Sequence, residues 1–195
     1  MRFIAKFLLC GLGALLPFSV GAEVPSFEFS ASTYKLLLMH AGRGEKDSAM
    51  NVYTLDGAGP KDAMSSMEVA FWPKVKNLKT SRDNWLLSIT PRLTEKVETI
   101  PTPGNPNQLI VQAVVFTSNP AGEEVMLHRF DHNPKDRTLV TYLMRWRFLE
   151  EDGTIDDRWF RQNRDRLVEE LRQLELPIVR QRPEGLQPLP PPPQS

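Results

Sequence analysis

Three histidines, His40, His128 and His132, are the whole imidazole inventory of this 195-residue chain. On an extended strand His128 and His132 fall on one face, four residues apart. With Asp131 or Asp136 they are the weak candidates for a metal site. A catalytic zinc ordinarily takes three tight protein ligands, and Asp131 points to the opposite face of such a strand. The plainer interpretation is two surface histidines at a strand end, and no metal or other cofactor is expected. Nucleophilic catalysis lacks its parts as well. No serine sits in a G-x-S-x-G elbow. Asp56-Gly57-Ala58-Gly59-Pro60 holds a G-x-G without the third glycine or the strand-to-helix context of a dinucleotide site, so it is expected to be a turn. Carboxylates are plentiful, so a general acid/base pair is conceivable, but nothing singles one out.

Arginine supplies the second candidate chemistry. Arg129, Arg145 and Arg147 fall on expected strands, and Arg158, Arg161, Arg164 and Arg166 on an expected helix. Guanidinium groups on the outer face of a sheet can hold carboxylates or phosphates bidentately. Arg129, Arg145 and Arg147 are therefore the candidate partner-binding residues, set against the ordinary outcome of a solvated charged face. Tryptophans with Met39, Met64 and Met67 could line a ligand groove, although each such residue is more often core. Trp72 and Trp85 flank a middle region the sequence does not place.

These residues need elements to position them. Period-two alternation is clearest in Val140–Phe148, where Val140, Tyr142, Met144, Trp146 and Phe148 share one face and Thr141, Leu143, Arg145 and Arg147 the other. Leu109–Ser118 is β-branched and apolar on both faces, as a central strand would be. Glu123–Phe130 is a third strand. Asn119-Pro120-Ala121-Gly122 and Asn133-Pro134-Lys135-Asp136 supply the turns of an antiparallel meander. Ser66–Trp72 and Val52–Leu55 are further strands. Thr33–Ala41 fits either a helix closed by Gly42 or a strand. Trp85–Thr90 and Leu93–Thr99 suggest two strands or one bent strand, and Thr102–Asn107 a loop. Thr154, with Asp157 three residues on, could cap a C-terminal helix. Its stripe would run through Trp159, Asn163, Leu167, Leu171 and Leu174, and Pro177 would end it. The expected class is α+β: a mostly antiparallel sheet, a meander of about four to six strands, with the C-terminal amphipathic helix packed on one face over Tyr142, Met144 and Trp146.

The two ends have their own signals. Arg2 and Lys6 precede an uncharged run from Phe7 to Phe18, and Val20-Gly21-Ala22 offers small residues at a cleavage site, so residues 1–22 are expected to be a cleaved export signal. The run is shorter than the ~20 apolar residues of a membrane span, and no transmembrane segment is expected after processing. Cys10 lies inside the run behind Leu9, where a lipoprotein signal would carry a small residue, so a lipid anchor at Cys10 is not expected. Removing residues 1–22 takes the only cysteine and two basic residues, leaving 22 basic against 24 acidic. Residues 23–179 would form one α+β domain and 180–195 a proline-rich disordered tail.

The chain carries 24 basic and 24 acidic residues, a balance that gives no dominant positive field for nucleic acid. With 41% hydrophobic residues it can build a core. The resulting expectation is an exported, non-catalytic binding or accessory protein of a bacterial cell envelope, periplasmic or secreted, acting on another envelope protein. A small exported hydrolase using carboxylates or a His-bound metal is one alternative. A small-ligand or lipid carrier is the other, and it requires an apolar cavity between sheet and helix larger than packing defects leave.

Overall fold

The meander forms with longer strands than the alternation alone marks. In the structure, a computed structural model describing residues 24–42, 44, 46–59, 63–118, 120–151, 154–183 and 186, strands β6 (Asn105–Ser118), β7 (Ala121–Asn133) and β8 (Thr138–Glu151) pair consecutively. Around them lie β1 (Ser26–Phe29), β2 (Ser32–Ala41), β3 (Ala49–Leu55), β4 (Ser65–Trp72), β5 (Glu98–Thr102) and the short β9 (Thr154–Ile155). One open sheet of nine strands results, in the order β1-β2-β3-β4-β8-β7-β6-β5 with β9 beside β8, and every pairing is antiparallel. The strand count exceeds the expected four to six because β1 and β9 join the strands the sequence marked and because Thr33–Ala41 takes the strand alternative. Residues 1–22 and 187–195, which carry the expected signal and most of the expected tail, lie outside the described residues.

Two stretches depart from the sequence expectation. Trp85–Thr90 is not a strand but the end of helix α1 (Leu78–Ile89), followed by a 3₁₀ turn over Thr90–Arg92. Asn77 caps α1, its Oδ1 accepting from Thr80 N at 2.8 Å. Thr102–Asn107 is not a loop. Pro103 and Gly104 make a tight turn between β5 and β6, and Gly104 takes φ +74°. Thr33–Ala41 resolves as strand β2. Its register shifts between Leu36 and Leu38, so Tyr34 and Leu36 face one side of the sheet and Leu38 the other.

The two helices cover opposite faces. Helix α2 (Arg158–Gln173) buries Phe160, Leu167, Val168 and Leu171 against Val125, Leu127, Tyr142, Met144 and Trp146. Its stripe is rotated from the expected one, and Trp159 is exposed. Thr154 is a residue of β9, its hydroxyl donating to Glu151 O, and Asp157 takes the N-cap position. After α2 the chain crosses the same face toward β3, laying Leu174, Leu176, Ile178, Val179 and Leu186 against the core. The fully buried Asn51 fixes this strap: its Nδ2 donates to Val179 O at 2.8 Å, and its Oδ1 accepts from Val179 N at 2.7 Å. Arg180 follows, 4.9 Å above the Phe71 ring. On the other face α1 covers β6, β7 and the adjoining part of β8, through Trp85, Leu86 and Ile89 against Val111, Ala113, Val115, Met126, Phe130, Leu139 and Leu143.

Arg129 joins α2 to the sheet. It is 3% exposed, and its guanidinium donates to the carbonyls of Leu171 (2.5 Å), Arg172 (3.1 Å) and Leu174 (2.6 Å) while pairing with Asp131 at 2.6 Å. Those carbonyls end the helix, where unpaired oxygens and the negative end of the dipole gather. The hairpin between β1 and β2 is tied to the same helix. Ser30 N donates to Glu170, and Arg166 donates to Ser30 Oγ at 2.9 Å. This holds Ser30 and Ala31 at φ 52° and 60°.

Two stability effects follow. Arg129→Lys keeps the charge but not the fork, and is expected to cost about 3 kcal/mol by urea denaturation because buried carbonyls and Asp131 lose partners. Ala31→Gly should raise stability by about 1 kcal/mol, since glycine relieves the left-handed strain by more than it adds to unfolded-chain entropy. An unchanged midpoint in either case would contradict this account of the fold.

Candidate functional site

Because α1 covers only part of its face, the rest of that face stays open. A cleft of about 870 Å³ lies there, between α1 and the floor formed by β3, β4, β8 and β7. Strand register sets the floor. Leu38, Val52, Glu68, Leu143, His128 and Val111 sit side by side in one row from β2 to β6. Thr54, Ser66, Arg145 and Met126 form the next row. Trp85, Ser88 and Ile89 of α1 make one wall, and Trp72 closes an end with its indole N–H toward Thr141 Oγ1 at 3.4 Å.

The floor mixes apolar side chains with the hydroxyls of Thr54, Ser66 and Thr141, and its titratable centre is one ionic group and one histidine. Arg145, 30% exposed, reaches Glu68 at 3.3 Å and Glu124 at 3.2 Å, so one guanidinium is held between two carboxylates. His128 is 6% exposed and encased in rings, with Trp85 edge-on at 4.6 Å and Phe130 at 4.0 Å between centroids. Neither imidazole nitrogen has a hydrogen-bond partner among the described residues. Burial, with the nearby Arg145 charge adding to it, pushes its pKa well below the usual histidine value. His128 is therefore a neutral, unpartnered polar group beneath an apolar cleft.

The sequence candidates separate. Arg145 and Arg147 share the cleft face, opposite the α2 core. Both line the cleft, and Arg147, with Arg92 and Glu124, also borders a smaller hollow at its end. Arg129 faces the other side, where it is buried at the end of α2 and does not join them. His132 lies on the same face of β7 as His128, its Nε2 3.4 Å from Val75 O. No group of three or more His, Cys, Asp or Glu among the described residues is placed to hold a metal ion. Of the tryptophans and methionines weighed for a ligand groove, Trp72 and Trp85 line the cleft, whereas Met67 and Trp146 belong to the core under α2. The sequence did not single out Ile89, Val52 and Glu68 as site residues. Asn77 before α1 and Pro91 after Ile89 were the available signals for the wall. Glu68 stood on the polar face of an expected strand, but its pairing depended on register.

The chain matches no protein-family model, no curated protein and no solved structure. No helix among the described residues is long and apolar enough to cross a membrane.

The buried neutral histidine makes stability depend on pH. In the unfolded chain it titrates near 6.5. Its folded pKa is depressed, so the stability present above pH 6.5 is lost as pH falls toward the folded value, by up to about 1.4 kcal/mol per pH unit. Urea unfolding at pH 7.5, 6.0 and 5.0 should show His128→Phe losing less stability than the native chain over that range. Parallel losses would place the acid sensitivity elsewhere.

Proposed function

We propose that this is an exported binding protein that carries a small, largely apolar molecule in the cleft between α1 and the sheet, acting outside the cytoplasm after residues 1–22 are removed. The observation that carries the reading is the unequal covering of the sheet. One face is filled by α2 and the strap, whereas the other keeps a cleft of about 870 Å³. Small-molecule sites ordinarily span roughly 300–1,000 Å³ with mostly apolar walls and few polar groups. A packing defect is far smaller than this, because protein interiors leave few voids larger than a water molecule. The walls supply what an apolar guest needs: Leu38, Val52, Trp85, Ile89 and Leu143. Binding, not turnover, is the activity these groups support. A carrier must also hand its cargo on, so the acceptor, on this reading, is another component of the envelope.

The test is uptake of the uncharged dye Nile red. The purified protein should bind about one dye per chain. Val52→Trp and Leu38→Trp, which fill the cleft, should weaken binding at least tenfold with unchanged circular dichroism. Trp159→Ala, on the opposite face, should leave binding as it was. Equal uptake by all three variants would remove the cleft as the site. Mass spectrometry of the exported chain should find Glu23 at its N-terminus, and recovery of the intact chain from the cytosol would refute the export reading.

A further inference from the structure

The cleft reading leaves the chemical nature of the guest open, and His128 narrows it. An imidazole without a partner is a costly thing to bury, by about 1–3 kcal/mol, and few buried polar side chains in folded proteins go unsatisfied. This one lines the floor of the cleft, between Leu143 and Val111 in its row and beneath Trp85. We propose that the cleft takes an uncharged amphiphile, an apolar chain or ring system carrying a hydroxyl group, and that His128 is the residue that reads the hydroxyl. The proposal rests on the cleft being a binding site.

The surroundings favour that class over charged ones. A neutral imidazole offers one N–H and one lone pair. A hydroxyl can pair with whichever nitrogen it meets, as donor or as acceptor. A carboxylate only accepts and an ammonium only donates, and either would give up hydration among Trp85, Phe130 and Leu143. The charged group nearby does not compensate. An anionic head drawn to Arg145 meets Glu68 and Glu124, and a cationic head drawn to those carboxylates meets Arg145. A charged head has to displace one of these pairings, whereas a neutral head disturbs none of them. Arg92 and Arg147 line the same cleft toward its end, and the anionic probe below tests whether they draw in a negative head. The apolar body then has Val52, Leu38 and Ile89 to lie against. Trp85 covers the imidazole and has to swing outward to admit the hydroxyl. That swing gives up its ring contact with Phe130 and its packing on the β6–β7 side chains.

The experiment displaces Nile red from the purified protein at pH 7.5 with four twelve-carbon probes: 1-dodecanol, dodecane, dodecanoate and dodecylammonium. Dodecanol should compete at concentrations about tenfold below the other three, the value of one neutral hydrogen bond. His128→Phe should bring dodecanol to the level of dodecane, with His128→Leu as the substitute if the first does not fold. His128→Gln, which keeps a donor and an acceptor, should retain the preference. Dodecanol should also shift the ring signals of His128 in the ¹⁵N-histidine spectrum, assigned from the variant. Stronger competition by a charged probe, or a dodecanol preference that survives in His128→Phe, overturns the inference while leaving the cleft reading standing. Failure of the native protein to bind Nile red overturns the cleft reading and this inference with it.

Discussion

One guanidinium holds the layered arrangement together. Arg129 projects from the middle of β7 and closes the C-terminal end of α2, answering three backbone carbonyls and one carboxylate at once. Its outer face also lies 3.9 Å over the Tyr142 ring, so the charge is stacked as well as paired. A cation this deeply buried is tolerated only because every neighbour offers negative charge or a π face. The consequence is positional: α2 must stop at this point, and the chain beyond it is directed across β3. Asn51 then fixes the strap with its two hydrogen bonds. The α2 face is thereby filled from β6 to β2.

The opposite face has no such device. Its helix is short, polar in its first two turns, and buries a single residue. That economy gives the molecule its cleft. The sheet contributes a floor of Leu38, Val52, Leu143 and Met126, Trp85 a wall, and Glu68, Arg145 and Glu124 an ion-paired group within it. The unequal treatment of two faces of one sheet is the structural basis of the proposed activity.

Much of this fold was legible in the residues. Val140–Phe148 announced both its faces, the proline and glycine turns around β7 located the hairpins, and the apolar periodicity after residue 158 marked α2. What stayed hidden had physical reasons. Residues 33–41 contain Leu36, Leu37, Leu38 and Met39 in succession because the bulge moves the chain from one buried face to the other, which erases the alternation. Helix α1 concentrates Trp85, Leu86, Leu87 and Ile89 in its last turns, a density that imitates a strand. Arg129 resembled a surface charge because one sequence cannot show that a helix end lies 42 residues away, above it. The site was harder still. Glu68 and Arg145 meet through the pairing of β4 with β8, and His128 meets Trp85 only through the docking of α1.

The outermost strands matter for a reason unconnected with the cleft. A nine-stranded open sheet presents two rows of unused backbone donors and acceptors, a template on which other chains can stack. Here one margin, β1, is four residues long and the other, β5, is five residues long and interrupted by Pro101, which has no N–H to give. Both outermost strands are thus short, and one is broken by proline, which limits the addition of a further strand at these margins.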